Sequence, residues 1–207
     1  YKTLNWIGGV LKRYFYGAPL PTFLAQSWEE ILGVLVANDT MSETTYEQKH
    51  AWLFQIEILK KILKPFRSGH LYFEFTIPRI GKRIDNVFIY RDTLFLFEFK
   101  VGKSRVERED LTQVMDYALD LKNFHEGSHQ VQIVPLLLLE NLKEEESIES
   151  LQNARYSDKL FKAAAISIDS APQLIQALAK NDKNIHPKHW EESRYKPTPT
   201  IIEAAQR

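Results

Sequence analysis

Arg83-Ile84-Asp85-Asn86-Val87-Phe88-Ile89-Tyr90-Arg91-Asp92-Thr93-Leu94-Phe95-Leu96-Phe97-Glu98-Phe99-Lys100 decides the fold of this chain. Val87 to Tyr90 leads into the polar pair Arg91-Asp92, and Leu94 to Phe97 leads out. Two apolar strands around a short polar turn read as a tight β-hairpin. Folding about Arg91-Asp92 sets Asp85 directly opposite Glu98, and directly opposed residues share one face of a sheet. Alternation along the second strand adds Lys100 to the face of Glu98. Two carboxylates and an ammonium are therefore expected at one point.

That grouping has a chemical use. Two carboxylates held a few ångströms apart repel each other and gain by sharing a hard divalent cation, for which magnesium suits oxygen ligands. A lysine beside them can orient an attacking water or offset charge on a phosphate. An isolated D…ExK string is more often a surface hairpin with a cross-strand salt bridge, so the flanking sequence decides. Leu94 to Phe97 shows no polar alternation, the pattern of a central strand covered on both faces. Charged residues closing such a strand are costly unless they are paired or bind a metal.

Further elements follow outward from the hairpin. Leu71 to Pro78 forms a strand, joined to the hairpin by a turn around Gly81-Lys82. Residues 107–124 read as a helix, followed by the apolar strand Val131 to Leu139. An amphipathic helix over 46–63 precedes all of these, with Thr44 and Glu47 or Thr45 and Gln48 at capping-box spacing. The order is α-β-β-β-α-β, an α/β fold.

With that order and that carboxylate placement, the chain resembles the PD-(D/E)XK nuclease superfamily over roughly residues 46–140. The resemblance implies a restriction-endonuclease-like core, a mixed central sheet flanked by helices. It also implies magnesium or manganese held by Asp85, Glu98 and the backbone carbonyl of Phe99, with Lys100 positioning the nucleophilic water. Ile84 stands where the family often has proline. Gln113-Val114-Met115-Asp116-Tyr117 resembles the QxxxY motif of RecB-like members, which gives Gln113 a role in orienting Lys100 or a phosphate and Tyr117 one in supporting the substrate. Helical spacing puts Gln113, Asp116, Tyr117 and Asp120 on one face. Phe73 to Asp85 and Tyr195 to Ala205 look like parts of bacterial nuclease–helicase fusions, in which a nuclease-like region precedes a P-loop helicase. No GxxxxGK[ST] loop occurs in the 207 residues, so the expected partner is a covalently linked helicase beyond them. The start at Tyr1 and an apparent helix over 201–207 also read as a piece of a longer protein.

Composition bounds the rest. With 44% hydrophobic residues, the chain supports one α/β domain with an accessory segment. Domain expectations are a helical accessory segment over 1–45, the nuclease-like core over 46–180, and a linker leading to a following region over 181–207. Lys and Arg total 27, as do Asp and Glu, so net charge gives no argument for nucleic acid. Local clusters do: Lys60, Lys61, Lys64 and Arg67 form one, and Lys100, Lys103, Arg105 and Arg108 another beside the expected site, where Lys103 and Arg105 are candidates for phosphates. The absence of cysteine excludes disulfides and fits a reducing, cytoplasmic compartment. No signal peptide or membrane-spanning run is present.

Other polar residues have structural readings beside functional ones. Glu74 is a candidate additional acid, although a turn at Gly81-Lys82 pairs it with Ile89, well along the strand from Asp85. Glu47 and Glu57 are the acids that the first helix could supply, and neither placement supports a catalytic role. Gln48 and Gln55 read as polar residues facing the sheet. Gly127 separates His125 from His129 and opposes a HxxxH zinc site; His186 and His189 read as loop residues. The expected function is a metal-dependent nuclease acting on DNA in preference to RNA, compatible with a homo-oligomer. The alternatives are a non-cleaving nucleic-acid-binding module of the same fold and a protein-interaction domain in which Asp85, Glu98 and Lys100 form a salt-bridge cluster.

Overall fold

The computed structural model describes residues 6–7, 10–39, 44–100, 102–103, 105–142, 146–199 and 201–202. Most of the terminal helix expected over 201–207 lies outside them. The chain opens with a two-stranded antiparallel ribbon, β1 (Trp6–Ile7) and β2 (Val10–Leu11), followed by β3 (Tyr16–Pro19), α1 (Leu20–Ala25) and α2 (Trp28–Asn38). Then come α3 (Tyr46–Leu63), β4 (His70–Ile77), β5 (Lys82–Tyr90), β6 (Thr93–Lys100), α4 (Arg108–Phe124) and β7 (Gln132–Leu139). The α-β-β-β-α-β order read from the sequence is present as α3 to β7. After it lie α5 (Ile148–Asn153), β8 (Arg155–Ser157), β9 (Leu160–Phe161), β10 (Ala164–Ser167), α6 (Ala171–Leu178) and α7 (Pro187–Glu191).

Local chemistry sets several boundaries. Ser27 and Glu30 form a reciprocal capping box that starts α2, the serine hydroxyl accepting from the Glu30 amide at 3.2 Å. Of the two caps open for α3, Thr45 is the one used, its hydroxyl accepting from the Gln48 amide at 3.2 Å. Arg91 adopts φ 54° in the two-residue turn between β5 and β6, where Tyr90 pairs with Thr93.

The main sheet runs β3-β4-β5-β6-β7-β9-β8, with β10 also on β7. Pairing is antiparallel from β3 through β6 and parallel between β6 and β7, so the sheet is mixed. A parallel neighbour needs a crossover, and α4 supplies it. Both faces are covered. Phe95, Phe97 and Phe88 pack with residues of α1, α2, α3 and α6, whereas Leu94, Leu96 and Val87 pack with Val114, Tyr117, Ala118 and Leu121 of α4. This double burial is why β6 reads as an uninterrupted apolar run.

Residues 185–198 are laced to the α4 face. Trp190 is 2% exposed, with its ring centroid 4.7 Å from Phe75 and 5.6 Å from Tyr72. Backbone bonds from Lys196 to Phe124 and from Thr198 to Asn123, at 2.6 and 2.8 Å, hold the strand-like stretch that follows. His186 lies in the loop before α7 and caps it, as a loop residue, whereas His189 lies within the helix and is not the loop residue expected. His125 is buried and shares its Nδ1 with Ser128 Oγ at 2.7 Å, while Trp190 Nε1 donates to the same hydroxyl.

Candidate functional site

The β5–β6 ladder closes at Asn86↔Phe97, and Asp85 and Glu98 are the next residues beyond it. There a side chain replaces the main-chain ladder: the backbone N–H of Phe99 donates to Asp85 Oδ2 at 3.0 Å. Glu98 is 6% exposed, and its Oε1 accepts from Gln113 Nε2 at 2.9 Å. The same amide donates to the Tyr117 hydroxyl at 2.8 Å. Glu98 Oε2 is buried with no hydrogen-bond partner among the described residues.

The electrostatics follow from this crowding. Burial pushes the Asp85 carboxyl above its usual range, against the Phe99 amide, which favours the ionised form. Burial also raises Glu98, and the charge of Asp85 adds to the shift. A half-buried and a buried acid that resist ionising together constitute a site that a cation would stabilise.

Lys100 turns toward α4, where its Nζ lies 3.0 Å from Asp110 Oδ1. Its charge still favours ionisation of both Asp85 and Glu98. Asp110 Oδ2 takes Lys103 Nζ at 3.3 Å, and Lys103 also meets Glu107 at 3.0 Å. Burial by itself would raise the Asp110 carboxyl, but the two ammonium groups hold it below its usual range. Lys103 is thus engaged by two carboxylates, while Arg105 is exposed in the connecting loop.

Glu74 requires a correction. The β4–β5 turn occupies Pro78 to Gly81, so Ile77 pairs with Lys82 and His70, not Glu74, pairs with Ile89. Proline cannot extend the ladder, and Gly81 supplies φ 63° at the end of the turn. The pairs Phe73↔Asn86 and Phe75↔Ile84 bracket Glu74 against Asp85. Glu74 is 5% exposed; its Oε1 accepts from Trp52 Nε1 at 2.9 Å and its Oε2 from Arg83 Nε at 2.6 Å.

Side-chain alternation slips by one at this point. Tyr72 and Phe75 share the α4-side core, as do Ile84 and Val87, although each pair is three apart. Strict alternation from the sequence does not foresee the slip. It also misses Asp110, Arg83 and Trp52, although Asp110 lies one helical turn before Gln113 and Arg83 two residues before Asp85.

The other candidates lie elsewhere. Glu47 and Glu57 are exposed on α3. Gln48 reaches Glu74 at 3.5 Å, and Gln55 is buried. Lys60 donates to the carbonyls of Phe23, Leu24 and Gln26, closing the end of α1, and Lys61 pairs with Asp169. Asp120 binds Arg79, and Asp116 is exposed beside Gln113, Lys82 and Arg108 in a groove of about 470 Å³. Among the described residues, no group of three or more His, Cys, Asp or Glu side chains is arranged to hold a metal. The available donors are the two carboxylates and nearby backbone oxygens. This oxygen-only set suits Mg²⁺ or Mn²⁺ with retained waters, and the unpartnered Glu98 Oε2 is consistent with it.

No protein-family model matches the chain, and no curated protein matches it. Among solved structures it is similar to the small subunit of the heterodimeric restriction endonuclease R.BspD6I, with 14% identity over 84% of this chain and 86% of that one, and a TM-score of 0.32. A likeness this loose carries no functional weight. Among the described residues, no helix is long and apolar enough to cross a membrane.

Proposed function

We infer that this domain is a Mg²⁺- or Mn²⁺-dependent nuclease that hydrolyses phosphodiester bonds, in DNA rather than RNA. The observation that carries the reading is the pairing of half-buried Asp85 with buried Glu98 where β5 and β6 part, with a Glu98 oxygen left without a partner. Asp85, Glu98 and the Phe99 carbonyl would hold the cation, which supplies Lewis-acid neutralisation of charge on the phosphoryl group. Lys100, braced by Asp110, orients the attacking water and offsets the same charge. Gln113 fixes the Glu98 carboxylate, and Tyr117 fixes Gln113 from the next turn of α4. A covalently linked helicase is part of this proposal and rests on sequence strings alone.

The test is calorimetric titration of Mg²⁺ and Mn²⁺ into the wild type and Asp85→Ala, with cleavage of single- and double-stranded DNA assayed on the same samples. Metal binding that disappears in Asp85→Ala supports the site. Alanine at Asp85, Glu98 or Lys100 is expected to abolish cleavage while the fold persists. No metal binding with or without DNA would instead favour the protein-interaction reading.

A further inference from the structure

Glu74 sits in the middle of β4 with φ 54°, a left-handed conformation that a non-glycine residue adopts in a strand only when its surroundings impose it. Both of its oxygens are committed, one to Trp52 and one to Arg83. The result is a guanidinium fixed on two sides: its Nε edge is held by Glu74, and its Cζ lies over the Phe15 ring, 4.8 Å from the centroid. Its Nη atoms make no hydrogen bond to any described residue, and the side chain is 39% exposed while that of Glu74 is 7% exposed.

A buried carboxylate needs a counter-ion, but any cation would serve that purpose. A guanidinium held by one edge, with its terminal amines making no bond to any described residue, is pre-organised for a two-pronged anion. Arg83 also stands two residues before Asp85, close enough that its charge favours ionisation of that carboxyl.

We propose that Arg83 is a phosphate-binding residue of this site, positioned by Glu74, Trp52 and Phe15 so that its free amines grip a backbone phosphate of the DNA strand beside Asp85 and Glu98. This rests on the nuclease reading and adds the residue that places the strand.

The test compares wild type, Arg83→Lys and Arg83→Gln in binding a fluorescein-labelled single-stranded oligodeoxynucleotide. Anisotropy is followed over a salt series in EDTA, where cutting stops. Arg83→Lys keeps a cation for Glu74 and is the variant expected to melt with the wild type. Both Arg83 variants are expected to bind about tenfold more weakly, and Arg83→Gln, which also loses the charge, with a salt slope smaller by about 0.7 for the one lost single-strand phosphate contact. Mg²⁺ binding should persist in Arg83→Lys. Wild-type affinity and slope in Arg83→Lys and Arg83→Gln would overturn this inference and leave the nuclease reading standing. Full affinity in Arg83→Lys with a loss only in an early-melting Arg83→Gln would reduce the residue to a structural counter-ion and also overturn it. A wild type that shows neither salt-dependent binding nor metal-dependent cutting would remove both.

Discussion

Gln113 Nε2 binds one oxygen of Glu98 at 2.9 Å, and the other oxygen of that carboxylate lies buried with no partner among the described residues. The side chain is therefore oriented without being satisfied. Half of its accepting capacity is withdrawn from water and unspent in the protein, a cost that folding bears unless a proton or a cation occupies the place.

This arrangement sets the pH dependence of stability without metal. Asp85 and Glu98 have folded pKa values raised above their unfolded ones, so the folded state retains protons that the unfolded state has released. Stability should fall as pH rises from about 4, the ordinary carboxylate range, toward the raised folded values. Glu98→Gln removes one of the two charges. It is expected to raise the melting temperature in EDTA, and by more in alkaline buffer than in acid. Parallel melting curves for the two proteins at every pH would contradict the shifts.

The same protons compete with metal. Mg²⁺ or Mn²⁺ binding should strengthen as pH rises through the raised carboxylate range and should release protons. Calorimetry in two buffers of different ionisation enthalpy reads that release directly. An affinity independent of pH would place the metal away from this pair.

Gln113→Ala removes the donor to Glu98 Oε1 and leaves that oxygen buried without it. A stability loss of about 1–3 kcal/mol is expected from denaturant titration. Metal affinity or activity should drop roughly 10- to 100-fold, as when groups that orient a ligand are lost. Tyr117→Phe keeps the amide-to-carboxylate bond and should have the smaller effect on both.

Trp190 fills the α4-side core against Tyr72 and Phe75. Trp190→Ala is expected to cost about 3–5 kcal/mol in chemical denaturation, the range for emptying a buried aromatic site. A cost near zero would show that the stretch after residue 180 behaves as a linker and adds nothing to the core.

How much of the site the sequence discloses depends on how local its contacts are. The β5–β6 hairpin is legible because Arg91-Asp92 is flanked by apolar runs, and its turn fixes a register that carries Asp85 to the level of Glu98. The helix of Gln113 and Tyr117 is legible from its period, and the double burial of β6 from its unbroken apolar run. Glu74 is not. Its position depends on a turn that uses Pro78 to Gly81 rather than centring on Gly81-Lys82, and one mislocated turn displaces every pair in the strand.

By itself, then, the sequence determined the α-β-β-β-α-β order and brought Asp85, Glu98 and Lys100 to one end of one hairpin, because turn chemistry and periodicity act over a few residues. Tertiary structure decided what surrounds them. Asp110 claims Lys100, Trp52 and Arg83 claim Glu74, and alternation slips at Glu74 and Asp85. Those contacts join different helices and strands, and their partners are chosen by packing and by the need to pair buried charge, which no local pattern encodes.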